Sequence, residues 1–93
     1  MNQVYACVLA EVDTGMTFEA ARYLAETESV GLVVPTTGPY DLMIIARADD
    51  PAALGKKIVS EFQEAPGVRS TLTLLILDEL SPHNWRKELL ASA

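Results

Sequence analysis

The sequence predicts a small α+β sandwich, one antiparallel sheet with two helices on one face, on three observations. Four segments carry the alternating or continuously apolar pattern of strands, and two carry the three-to-four-residue period of amphipathic helices. Their order is strand, helix, strand, strand, helix, strand, followed by a short terminal helix. At 93 residues the chain has room for one hydrophobic core, so residues 1–93 are expected to form a single domain. That order within such a length is the βαββαβ order of the ferredoxin-like fold.

From Gln3 to Asp13, Val4, Ala6, Val8, Ala10 and Val12 occupy one parity and Tyr5, Cys7 and Leu9 the other, which makes the first strand apolar on both faces. Cys7 is the lone cysteine and is expected to be a small buried hydrophobe. Asp13-Thr14-Gly15 closes the strand. Thr17 is the expected N-cap of a helix that turns Phe18, Ala21 and Leu24 to one side and ends near Glu28. Val30 to Thr36, rich in Val and bounded by Gly31 and Pro35, is the second strand. The turn cluster Thr36-Thr37-Gly38-Pro39 leads into a third strand, Tyr40 to Ala48, so strands two and three form a hairpin. Asp50 as N-cap and Pro51 at the first helical position open the second helix, in which Leu54, Ile58 and Phe62 recur at intervals of four. Pro66-Gly67 stops it. Val68 to Leu77 is the fourth strand, polar at its start and apolar at its end, and Pro82 to Ala93 reads as a short helix with Trp85 and Leu89 one turn apart.

A net charge of −6 and a pI near 4.5 oppose contact with a polyanion, so no direct nucleic-acid partner is expected. The pairs Lys56-Lys57 and Arg86-Lys87 read as solvated helix faces. The N-terminus lacks a basic segment followed by an apolar run, and no stretch approaches the roughly 20 apolar residues that span a bilayer. The expected location is cytoplasmic, with no membrane partner. No His, Cys or carboxylate set has metal-ligand spacing, so neither metal nor cofactor is expected. His83, the one histidine, reads as a helix-start or surface residue, and Asp49-Asp50 as acidic groups complementing a helix dipole.

A sheet covered by helices on one face should be polar on the other, yet Leu74 and Ile76 oppose Leu75 and Leu77, and Leu42 and Ile44 oppose Met43 and Ile45. Each large side chain left uncovered forgoes about 1.5–3 kcal/mol of burial. The expected cover is an identical sheet stacked across a two-fold axis, giving an obligate homodimer of barrel-like form. The terminal helix with Trp85 folding over the same face is the alternative.

Thr37-Gly38-Pro39-Tyr40-Asp41-Leu42-Met43-Ile44 resembles the Gly-x-Tyr-Asp motif that opens the third strand of leucine-responsive/asparagine regulator (Lrp/AsnC) effector domains, also called regulation of amino acid metabolism (RAM) domains. Pro66-Gly67-Val68-Arg69-Ser70-Thr71-Leu72-Thr73 is similar to the family's Pro-Gly-Val-x-x-Thr-x-Thr start of strand four. The opening Ala6 to Asp13 is similar too, and the resemblance runs to about Asp78. It implies a small-molecule sensor rather than an enzyme: a domain that binds a free amino acid and assembles into dimers, octamers or larger rings. Full-length members carry an N-terminal helix-turn-helix domain. The sequence starts directly at the first strand, so the expectation is a chain lacking the DNA-binding half, which modulates regulation through its ligand or by joining a full-length Lrp/AsnC regulator.

An amino acid needs acceptors for its ammonium and donors for its carboxylate within a few ångströms. Gly38 admits close approach to main-chain N–H groups, Asp41 can receive the ammonium, Thr71 and Thr73 add hydroxyls, and Tyr40 forms a wall. The resemblance places this pocket where one dimer meets the next. Each residue also has an ordinary role: Gly38 and Pro39 in the turn, Asp41 capping loop N–H groups, Thr71 and Thr73 as strand residues. Two other readings stay open. One is a dimeric barrel acting as a cofactor-free oxygenase or haem-binding enzyme, for which no nucleophile-base pair can be named; the other is a purely structural co-assembly subunit.

Overall fold

Strand alternation decides which side chains form the core. In the computed structural model, which describes residues 3–77, β1 (Val4–Val12), α1 (Thr17–Ala25), β2 (Val30–Pro35), β3 (Leu42–Ala48), α2 (Pro51–Lys57), a π-helical turn (Ile58–Phe62) and β4 (Val68–Ile76) follow in the predicted order. The strands form one antiparallel sheet of order β2-β3-β1-β4, the ferredoxin-like arrangement. The expected helix over Pro82 to Ala93, with His83, Trp85 and the Arg86-Lys87 pair, lies outside the described residues. No helix among the described residues is long and apolar enough to cross a membrane.

Ala6, Val8, Ala10 and Val12 of β1 and Leu42, Ile44, Ala46 and Ala48 of β3 turn to the helix side, where they meet Ala20 and Leu24 of α1 and Leu54, Ile58 and Phe62. Alanines at the centre of the sheet let the helices approach closely, and the larger helix side chains fill the gap. The row Leu54, Ile58, Phe62 is buried as expected. Intervals of four overshoot an α-helical turn by roughly 40° per step. A wider turn removes that drift: the Gln63 N–H donates to the Ile58 carbonyl, five residues back, at 3.1 Å.

Three expectations for α1 are corrected. Met16, not Thr17, occupies the N-cap position, with no side-chain cap; the Met16 N–H instead donates to the Asp13 carbonyl at 3.0 Å, so a turn delivers the chain into the helix. Phe18 is 71% exposed, because the inward row is Ala20 and Leu24, and a residue two positions before Ala20 points to the far side. The helix ends at Ala25 rather than near Glu28.

At α2 the Asp50 carboxylate accepts from the Ala53 N–H at 2.8 Å, with Pro51 beginning the helix. Asp50→Ala is expected to cost about 1 kcal/mol of unfolding free energy, read as a lower urea midpoint at unchanged slope.

The margins of the sheet differ. β2 has six residues, loses register between Val30 and Leu32 and ends at Pro35. β4 has nine, and its register on β1 is regular from Ser70 onward.

Candidate functional site

The loop that joins β2 to β3 closes one end of the sheet. The Asp41 N–H donates to the Ala10 carbonyl at 2.9 Å, and its carbonyl accepts from the Thr36 N–H at 2.9 Å. The Asp41 carboxylate accepts from the Val12 N–H at 2.8 Å, standing in for a main-chain carbonyl beyond the last paired residue of β3. The Thr36 hydroxyl donates to the Tyr40 carbonyl at 2.8 Å. Gly38 has φ 109°, which a side chain would strain, and the space where its Cβ would stand is open. Gly38, Tyr40 and Asp41 therefore share one loop with an accessible glycine at its tip.

Thr71 and Thr73 come to the same region but not to the same spot. Ala10 pairs with Leu42 on one side and Thr71 on the other, and Val8 pairs with Ile44 and Thr73. Within one chain β1 stands between them and the loop, a separation of about 10 Å across two strand spacings. Their parity is that of Ala10 and Val8, the helix side. The Thr71 hydroxyl accepts from the Gln63 side chain at 3.3 Å. Sequence reasoning missed Glu11, which accepts from the Ser70 hydroxyl, and Arg69, which pairs with Asp13 at 3.4 Å. Glu11 is the one charged residue in β1, and that was its signal.

The opposite face of the sheet is apolar. Cys7 stands between Ile45 and Leu74, and Leu9 between Met43 and Leu72. On this face Leu72 and Leu74 are 44% and 49% exposed, whereas Ile45 is buried. Cys7 is half-buried here rather than in the core, because its parity is the open one; that partial burial pushes its thiol pKa above the ordinary value. Among the described residues no group of three or more His, Cys, Asp and Glu could hold a metal ion.

The sequence matches the Lrp/AsnC ligand binding domain family over residues 5–86. No curated protein matches it. Among solved structures, TTHA0845 from Thermus thermophilus is similar at 28% identity and a TM-score of 0.78, over 84% of this chain and 98% of that one. E. coli AsnC is similar at 21% identity and a TM-score of 0.80, over 87% of this chain and 55% of that one. The transcriptional regulator NMB0573 of Neisseria meningitidis, solved as a complex with L-Met, is similar at 16% identity and a TM-score of 0.78, over 87% of this chain and 54% of that one. The chain thus spans about half the length of these two regulators.

Proposed function

Because the chain belongs to the Lrp/AsnC ligand binding domain family, we propose that it binds a small-molecule effector, an amino acid in the first instance, and assembles through its open sheet face into a homodimer that can build larger rings. The observation that carries the assembly is the pair of exposed leucines, Leu72 and Leu74, on the sheet face away from the helices. The N. meningitidis regulator solved with L-Met supports an amino-acid effector. The separation of Asp41 from Thr71 and Thr73 fits a pocket made by two copies, with the loop of Gly38 and Asp41 from one and the threonine hydroxyls from a neighbour. Ligand binding there would favour the assembly that completes the pocket. A full-length regulator of the same family could supply the neighbouring copy, in which case this chain would tune regulation without touching DNA.

A second reading, a co-assembly subunit without a ligand, is favoured by one observation: the Asp41 carboxylate already has a partner in the Val12 N–H. Asp41→Asn separates the two. The amide oxygen keeps the bond to Val12, so the free protein should retain its melting temperature, while losing the charge should weaken an amino acid that binds there by on the order of ten- to a hundredfold. A thermal-shift series with each proteinogenic amino acid, L-Met first, makes the measurement; a ligand at a hundred times its Kd stabilises by about 2.7 kcal/mol. A shift of equal size in wild type and variant removes Asp41 from the site, and no shift with any amino acid favours the ligand-free subunit.

A further inference from the structure

At the end of the sheet away from the loop of Gly38 and Asp41 lies a cavity of about 340 Å³, bounded by Gln3, the Glu28-Ser29 turn, Arg47, Asp49 and Lys57. Its volume is at the low end of small-molecule sites. Its walls carry both signs of charge. The Arg47 guanidinium makes one long hydrogen bond, to the Glu28 carbonyl at 3.4 Å, and is in no ion pair among the described residues. Asp49, two residues on, likewise has no ion pair among them. No ion pair joins the two, which leaves both charges available to a molecule that brings its own opposite charges between them.

One lining residue, Ser29, is buried and tied to the helix behind it. Ser29 is the buried polar residue of the described chain; its hydroxyl donates to the Glu61 carboxylate at 3.4 Å, which also holds Lys57 at 3.8 Å. Glu61 lies in the π-helical turn, a wide turn that recurs at functional sites.

From this geometry we propose a second small-molecule site at this cavity, one that takes a small zwitterion such as an α-amino acid. The Arg47 fork receives the carboxylate, Lys57 stands beside it, and Asp49 receives the ammonium. Unlike the loop pocket, this site is complete within one chain, so binding here does not depend on assembly and stands apart from the reading above.

The test is a ¹H–¹⁵N chemical-shift titration with each proteinogenic amino acid, and with acetate and methylammonium as half-ligands. At least one amino acid should move the amides of Ser29, Arg47, Asp49 and Lys57, in wild type and equally in an assembly-breaking Leu74→Asp chain. Arg47→Gln should weaken this at least tenfold, and Asp49→Asn, at an exposed position that leaves the fold unchanged, should do the same; Asp41→Asn should not. The proposal is overturned if no amino acid moves these amides, if acetate or methylammonium alone binds as well, or if Asp49→Asn leaves the titration unaltered. Changes confined to Gly38, Tyr40 and Asp41 and abolished by Asp41→Asn would overturn it while leaving the loop pocket standing.

Discussion

Leu74→Asp is expected to turn the proposed homodimer into folded monomers. Leu74 is 49% exposed in the single chain, so the substitution removes little from the fold itself. Its side chain shares the open face with Cys7, directly opposite on β1. In a two-fold stack of sheets both copies of the new carboxylate would enter an apolar interface. Each loses about 1.5–3 kcal/mol of leucine burial and adds several kcal/mol for an unpaired charge. The expected weakening is on the order of a thousandfold or more, measured by sedimentation at several concentrations. The Cys7 thiol is a second readout: the proposed dimer would shield it, so it should react with a maleimide faster in the variant. Wild-type protein that sediments as a monomer at micromolar concentration, or a variant that stays dimeric, would show that this face is not the interface.

Gly67→Ala is expected to cost about 2–4 kcal/mol of stability. Gly67 has φ 83°, and a Cβ there would stand 2.5 Å from the Met16 Cβ and 3.3 Å from Val12 Cγ1. The Met16 Cβ is fixed to the main chain that starts α1, so no rotamer change relieves the overlap. Backbone must move, and the nearest backbone is held: the Asp13 N–H donates to the Gly67 carbonyl at 2.8 Å. Gly15→Ala is the control. Gly15 has nearly the same φ, 85°, but nothing within 4 Å of its Cβ position, so only the conformational cost of about 1 kcal/mol applies. Equal losses in urea unfolding of the two variants would refute the overlap.

The element order was legible because alternation and helical period are local, and the Asp50-Pro51 start of α2 was legible because a cap acts over three residues. What failed to read through was non-local. Phe18 looked like a core residue from its spacing to Ala21 and Leu24, yet the sheet selects the row of Ala20 and Leu24. The partner of Asp41 is an N–H 29 residues away in sequence, and nothing about the loop itself names Val12. Thr71 and Thr73 were expected on a strand lying nearby in the sheet, and strand order puts β1 between that strand and the loop, a detail that spacing along the chain does not carry. The π-helical turn was half visible, in a row that repeats every four residues without drifting off the core.

The unequal margins of the sheet bear on how this protein could misassemble. Among the described residues β4 offers the longer and more regular edge for adding strands, since β2 is short, irregular in register between Val30 and Leu32, and lacks an N–H at Pro35. Two molecules joined through β4 in this way would use up their longer edges on each other, which favours a closed pair over a filament.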